Sequence, residues 1–514
     1  MTQTVAEFYA GRSVFVTGAT GFLGKCLIEK LIRSCPDIGS IYVLVRAKRG
    51  VDPRQRVQDL VTGDLFQTLR DTKPGFESKV VPVCGDLLVD GLGMSEEDIA
   101  TLRENVSVII HVAATVNFNE HIKTSLQLNV IAVKQLLAMS RTFKDLKAFV
   151  HTSTAYSQCD REHIEERFYE PAMDVDALIQ LVKSMPEETA AAATPGLLGK
   201  RPNTYTLTKS LAEAIVKREG QGLPVAVMRP SIVAGIRADP VPGWQDNLNG
   251  PAGMYVAASA GMLRVMQGNP NAVMDLVPVD HCTSLLIAIG WKLGTTYKVG
   301  DEPKVYHCTS GTLNPCTWGE QIDYSFRAYR SREPLVVPLI EPSFRFVQNP
   351  TLFKTMAFFV HTLPCVLGDT MLRATGQKPV LQRIFRKLNN AIDAFHFFIS
   401  HQWRWDMDNT MQLRKDMAAA DRTTFEFDMT IINWPSYIES FFVGARRFVP
   451  RQDPAVQARN RVIQRLIHFV FLTLCLLALA FASLSMYNVI TGSEVTATGL
   501  VDMAVSRFAL PASQ

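Results

Sequence analysis

Apolar residues in the first part of this chain fall into short continuous runs. Val14-Phe15-Val16, Ile41 to Val45, Val80 to Cys84, Val106 to Ile110, Ala148 to Val150 and Val225 to Met228 are the clearest. Runs of this length and continuity predict strands covered on both faces. Between them apolar residues return at helical spacing, as in Leu23, Leu27, Ile28, Leu31 and Ile32, or from Asn129 to Met139. Repeated strand–helix units predict an α/β fold, a doubly wound parallel sheet with right-handed crossovers. The alternation lasts from Arg12 to about Val305 and sets a nucleotide-binding domain over 1–310, with a helical insertion near Asp174 to Gly199. Residues 311–355 read as a connecting segment. From Phe344 to Ala391 the chain is rich in Phe, Met and Leu at helical spacing, broken at Pro364, and a mostly helical C-terminal domain is expected over 356–450.

One late stretch differs from all of these. Leu466 to Ile490 is an apolar run without charge when His468 is neutral. About twenty apolar residues cross a hydrocarbon core of roughly 30 Å. Arg446, Arg447, Arg451, Arg459, Arg461 and Arg465 precede it, and only Glu494, Asp502 and Arg507 are charged beyond it. The positive-inside rule then puts the large N-terminal portion in the cytosol and the short tail 491–514 on the other side. A tail-anchored protein with a transmembrane helix over 466–490 is the expectation, without a signal peptide. Composition adds exclusions. A formal net charge of +4 over 514 residues, with no concentrated basic stripe, argues against a nucleic-acid binder. The 9 cysteines are scattered with no C-x-x-C pair, so a reduced compartment and no structural metal are expected.

The chemistry begins at Thr17-Gly18-Ala19-Thr20-Gly21-Phe22-Leu23-Gly24, where the first strand meets the first helix. Glycines here permit a tight turn, close approach of backbone to a pyrophosphate, and close helix–strand packing. The helix N-terminus adds free N–H groups and partial positive charge. The Gly-x-x-Gly-x-x-Gly spacing resembles the extended branch of the short-chain dehydrogenase/reductase superfamily. At the end of the second strand, where Asp or Glu would hold the ribose hydroxyls of NAD, stands Arg46, followed by Lys48 and Arg49. Guanidinium pairs well with phosphate, so NADPH is favoured over NADH. Ala113 and Ala114, after the fourth strand, are small enough to leave room along a dinucleotide.

Tyr205-Thr206-Leu207-Thr208-Lys209 is a Y-x-x-x-K motif, and its spacing puts both side chains on one helical face. An ammonium near a phenol lowers a pKa that is otherwise about 10, and Tyr205 then exchanges a proton with a carbonyl oxygen. Lys209 is also placed to hold the nicotinamide ribose. Ser153 follows the fifth strand, at the sheet edge where such folds bind ligands, and its hydroxyl is the candidate to orient the carbonyl. The related folds imply Asp86 against the adenine. They also imply Asn129 supporting the site through water, although helix capping or packing fits Asn129 equally.

Longer strings narrow the reading. Arg229-Pro230-Ser231-Ile232-Val233, Pro242 to Pro251, Asp275 to Asp280, Asn314 to Glu320, Arg201 to Tyr205, His361 to Pro364 and Trp434 to Tyr437 resemble the alcohol-forming fatty acyl-CoA reductases of animals. The resemblance runs from about Phe8 to Phe448. It implies NADPH-dependent, four-electron reduction of a long-chain acyl-CoA to a primary alcohol through a bound aldehyde. It adds Pro230, Ile232 and Val233 to the cofactor contacts. It implies no catalytic cysteine, and Cys159 and Cys282 read as small buried hydrophobes. It also implies a place in ether-lipid or wax synthesis at a membrane, peroxisomal first and endoplasmic reticulum second. The helical domain forms either an acyl tunnel or only its own core. The rival readings are a membrane-tethered reductase of sterols or nucleotide sugars, and a nucleotide-sensing scaffold. Oligomeric state, a homo-oligomer included, is left open.

Overall fold

The computed structural model describes residues 3–48, 50–331, 342–445 and 453–491. Seven strands form the central sheet: β1 (Ser13–Thr17), β2 (Ile41–Val45), β3 (Val80–Cys84), β4 (Val106–His111), β5 (Ala148–Thr152), β6 (Val225–Pro230) and β7 (Lys304–Cys308). Their order is β7-β6-β5-β4-β1-β2-β3, and every pairing is parallel. The apolar runs are this sheet, buried because helices cover both faces. Strand order reverses between β1 and β4, which opens a crevice beyond their C-terminal ends. Thr17 lies opposite His111 there, at the last paired position.

Helices α1 (Phe22–Ser34), α2 (Pro53–Val61), α3 (122–140), α4 (Thr204–Glu219) and α5 (Val279–Thr296) follow in chain order. Helices α1 and α5 pack on one face of the sheet with Leu27, Leu31, Val14, Val16 and Leu285 in a common core. Helices α3 and α4 close the other with Val133, Leu136, Leu211, Ile215 and Phe149. Local signals start the helices that matter. Asn203 caps α4 by accepting from the Thr206 N–H at 2.9 Å, and Asp52 caps α2 with Pro53 at its first position. Helix α3 carries a π turn at Gln127–Ile131, in its middle.

Residues 1–333 and 344–448 form one compact unit. The C-terminal part of this unit holds α6 (Pro350–Ala374), α7 (Leu381–Ser400), α8 (Asp408–Asp416) and a helix at Trp434–Ala445. It is keyed into the sheet part. Arg404–Trp405 pairs in parallel with His163–Ile164, and the buried Trp405 indole donates to the Ala155 carbonyl at 3.0 Å. The Tyr437 hydroxyl donates to the Gly235 carbonyl at 2.8 Å. At Gly444 a Cβ would sit 1.5 Å from the Gly243 carbonyl oxygen, so only glycine permits that contact. The second unit is residues 334–343 with 449–514, and its described part consists mainly of helix α9 (Pro454–Thr491). Helix α9 runs through the apolar stretch 466–490. Of the expected tail, only Thr491 lies within the described residues.

Candidate active site

The glycine turn has the geometry of an anion cradle. Gly18 has φ of +74°, and a Cβ there would stand 2.7 Å from the Ala113 nitrogen. At Gly24 a Cβ would meet the Gly18 oxygen at 2.2 Å, so this glycine lets α1 rest against the turn. Gly21 is different, because a Cβ there would meet nothing closer than 3.2 Å and would fill the open side of the turn. Gly21 is also the N-cap of α1 and brings no side chain to its N–H groups. Those donors and the helix dipole face the crevice, which suits a pyrophosphate. Around the turn, the Thr17 hydroxyl lies 2.6 Å from His111 Nδ1 and accepts from the Ala113 N–H at 3.3 Å. The Phe22 ring stacks on Trp244 with centroids 5.8 Å apart, and Leu23 packs partly buried against the core. Ala113 and Ala114 are half-buried on the loop after β4.

Beside the cradle is a basic corner. Arg46, exposed after β2, makes a 3.2 Å ion pair with Asp86 after β3. Lys48 is exposed in the following turn, its backbone bridged to Val51, and Arg49 lies outside the described residues. A third cation escaped the sequence reading. Arg56 reaches back from α2, donating to the Arg46 carbonyl at 2.6 Å and to the Thr20 hydroxyl at 3.2 Å. It pairs with no carboxylate among the described residues, and burial together with Arg46 lowers its pKa. Its position eleven residues beyond the end of β2, on a helix, gave no adjacent-residue signal.

At the C-terminal ends of β5 and β6 the catalytic candidates gather, with one change of partner. Tyr205, on the first turn of α4, is half-buried, and the neighbouring polar side chain that opposes the rise of its pKa is Thr154. Thr154 also donates to the Pro230 carbonyl at 3.4 Å, which brings the end of β6 against the same spot. Ser153 is turned the other way. Its hydroxyl donates to Glu213 Oε1 at 2.5 Å, in the buried interior. Glu213 is held in turn by Arg229, through Nε at 2.9 Å and Nη2 at 2.6 Å, and both side chains are buried. Glu213 sits one helical turn beyond Lys209, so Lys209 faces a fixed carboxylate.

Lys209 is buried, donates to the Thr152 carbonyl at 2.7 Å, and has its pKa lowered to about 8 by burial, opposed by Glu213. The Tyr205 phenol is pushed up to about 12 by burial, opposed by the Thr154 hydroxyl. The expected ammonium effect on the phenol is not seen: desolvation of the phenolate dominates, and the Lys209 ammonium is directed at the Thr152 carbonyl. Beneath them His111 and His151 stack with centroids 5.2 Å apart, both driven neutral by burial and by the positive charge of Lys209.

Asn129 lies in the π turn of α3 and joins two walls of the site. Its side chain accepts from the Thr115 N–H at 3.0 Å and donates to the Thr208 hydroxyl at 3.0 Å. Functional residues are frequent on π turns, where one extra residue re-aims a side chain. Ile232 and Val233 follow β6 and are half-buried, with Ser231 between them and Pro230 tied to the buried Asp275 at 2.6 Å. Burial pushes the thiol of Cys159 up to about 12 and raises that of Cys282, so both behave as small apolar groups. In front of Tyr205 the Phe118 ring stands 5.7 Å away, between it and α7. A cavity of about 370 Å³ opens beside Phe118, lined also by Asn203, Asn390, His396 and Phe397.

Sheet order, glycine cradle and the Tyr–Lys pair on α4 define an extended short-chain reductase. Family models described as male sterility protein match residues 16–286 and 360–452. The chain is 41% identical to rat fatty acyl-CoA reductase 1 over 453 residues, covering 88% of this chain and 87% of that one. It is 40% identical to the human reductase 1 with the same coverage, and 37% identical to bovine fatty acyl-CoA reductase 2, covering 91% of each chain. The chain belongs to the fatty acyl-CoA reductase family. Among solved structures it is similar in fold to the terminal reductase domain of a myxalamid synthetase (TM-score 0.58, 18% identity, 86% of this chain and 93% of that one). It is similar also to the reductase domain of a non-ribosomal peptide synthetase from Mycobacterium tuberculosis (TM-score 0.58, 19% identity, 87% and 94%).

Proposed function

We propose that this chain reduces a long-chain acyl-CoA to the primary alcohol and free CoA, through a bound aldehyde, with NADPH as reductant. The observation that carries the reading is Tyr205 and buried Lys209 one turn apart on α4, at the end of β5 and beside an open glycine cradle. Nicotinamide, when bound, supplies one hydride in each of two rounds. Gly18, Gly21 and the N-terminus of α1 are the groups to hold the pyrophosphate, with Thr17, Thr20, Phe22, Leu23 and Gly24 shaping the turn. Arg46, Lys48 and Arg56 form a corner suited to an extra phosphate, and this favours NADPH over NADH. Ala113, Ala114, Asp86, Asn129, Pro230, Ile232 and Val233 complete the proposed contacts.

Reduction needs a proton donor, and a phenol pushed up to about 12 is protonated at neutral pH. Tyr205 and Thr154 donate to the thioester oxygen as it becomes an oxyanion in the first round. Collapse of that adduct breaks the C–S bond and releases the CoA thiolate, leaving the aldehyde. In the second round the aldehyde oxygen becomes an alkoxide, about as strong a base as hydroxide, and Tyr205 protonates it. Lys209 keeps the electrostatics favourable by remaining charged below about pH 8. Ser153 acts behind the site, by satisfying Glu213, and not on substrate.

The apolar helix α9 is the proposed membrane anchor, with the compact unit on the cytosolic side. The peroxisomal membrane is the first expected location and the endoplasmic reticulum the second, and imaging against markers of both decides between them. The reaction itself is tested by incubating the full chain with stearoyl-CoA and each reduced nucleotide. Expected is fatty alcohol with two NADPH consumed per alcohol, and little turnover with NADH. Turnover of a sterol or nucleotide sugar in place of acyl-CoA, or no turnover at all, overturns the reading.

A further inference from the structure

Helices α6 and α7 leave an apolar face without a partner, and its chemistry says what covers it. Leu352, Phe358, Phe359, Leu367, Met371 and Ile384 are exposed along this hairpin, Met371 at 70%. A contiguous patch of large apolar side chains on a folded unit marks an interaction surface. Between Phe344 and Asn390 the sequence holds seven basic residues, Arg345, Lys354, Arg373, Lys378, Arg383, Arg386 and Lys387, and a single acidic one, Asp369. That one acid is withdrawn from the surface. Its buried carboxylate accepts from the Val380, Leu381 and Gln382 N–H groups at 2.9, 2.9 and 3.1 Å, capping α7. What remains outside is apolar and cationic. This combination fits an anionic lipid surface, where cations meet headgroups and apolar side chains enter the acyl boundary.

Helix α6, at 25 residues, is also long and apolar enough to cross a bilayer. The structure argues against crossing, because α6 is built into the compact unit along one side. The buried His361 ring accepts from the Arg264 backbone N–H at 2.8 Å, and burial lowers its pKa to about 4, so it stays neutral in that bond. Just before α6, Arg345–Val347 pairs in parallel with Val265–Gln267. At Gly368 a Cβ would stand 2.5 Å from the Leu381 side chain, which fixes α6 against α7. Insertion across a membrane would break all of these contacts, whereas lying in the interface breaks none.

We propose that the α6–α7 hairpin docks flat on an anionic phospholipid bilayer, its apolar side chains in the headgroup–acyl boundary. The second half of α7 carries Asn390, His396 and Phe397 to the cavity beside Phe118. One helix thus joins the lipid-facing surface to a cavity whose Phe118 wall stands against Tyr205. If the acyl-CoA reading above holds, a substrate whose acyl chain rests in the membrane is delivered along α7. The docking itself does not depend on that reading.

Photolabelling tests it with no need for activity. The full chain is reconstituted in phosphatidylcholine–phosphatidylserine vesicles that contain a phospholipid with a diazirine in its acyl chain, then irradiated and mapped by mass spectrometry. Expected are labelled peptides from 350–387 in addition to α9, and no label at Val299, which is 89% exposed elsewhere on the same unit. Replacing Arg383, Arg386 and Lys387 by Glu is expected to cut hairpin labelling by about fivefold for each cation removed, with α9 labelling unchanged. Label confined to α9, or hairpin cross-links to a second copy of the chain in place of lipid, overturns the proposal. Loss of activity with hairpin labelling intact would count against the acyl-CoA reading alone.

Discussion

Thr154 and Ser153 are neighbours in sequence and face different worlds, and this makes them separable by mutation. Thr154→Ala removes the proposed second donor to the reacting oxygen, and kcat is expected to fall by about 10²-fold or more, with stability little changed. Ser153→Ala leaves the buried Glu213 short of a partner, so it should cost about 1–3 kcal/mol of stability in denaturant titrations while kcat changes little. The reverse pattern would return the catalytic role to Ser153. In the cofactor corner, Arg46→Glu and Arg56→Glu are each expected to raise KM for NADPH by about 10–100-fold, the worth of a charge-assisted hydrogen bond, with no loss for NADH. Lysine loses its charge as pH rises through its pKa. With Lys209 lowered to about 8, kcat should fall as pH passes from 7 to 9, and Lys209→Arg should abolish that falling limb even if it is slower throughout. The Y-x-x-x-K pair, the glycines and Arg46 were legible because each is a short pattern tied to one turn. The bond from Ser153 to Glu213, which leads to the proposal of Thr154, was not, since it depends on which way the chain leaves β5. Arg56 was not, since it reaches the turn through space.

At the scale of elements, the segment after β5 and the start of α8 are clasped together by one carboxylate. Glu166 accepts from the His307 N–H at 2.7 Å, the Thr410 hydroxyl at 2.8 Å and the Asn409 N–H. Glu166→Ala strands these donors in a largely buried place and should lower stability by about 2–4 kcal/mol, read as a fall in Tm, while Glu166→Gln, which keeps an acceptor, loses less. Six strands were visible as apolar runs, because a strand buried on both faces has no alternation to disguise it. The seventh, β7, was not, since Lys304 and His307 interrupt it, and its polar atoms are satisfied by distant groups such as Asp406 and Glu166. The π turn in α3 left no mark either, as residues 122–140 have ordinary helical spacing. The composition change after Asn314 was read as a helical region, and helices are there. Composition did not reveal that these helices share one compact unit with the sheet, because that depends on contacts such as Gly243 against Gly444.

Among the described residues, the chain comprises a compact unit that holds every proposed catalytic group and, in its second unit, the long helix α9. Leu466, Phe469 and Leu476 are exposed on that helix, at 61%, 68% and 65%. Deleting residues 454–514 should turn a chain that resists alkaline carbonate extraction into one that carbonate releases, with NADPH-linked turnover retained. Persistence in the carbonate pellet would count against α9 as the anchor. The central claim is that Tyr205 is the proton donor of an acyl-CoA reduction. The most direct test is Tyr205→Phe in the full chain, with stearoyl-CoA as substrate, fatty alcohol measured by chromatography and NADPH binding by fluorescence. The account predicts a fall in alcohol formation of about 10²-fold or more with NADPH affinity unchanged. Alcohol formation at the wild-type rate would contradict it.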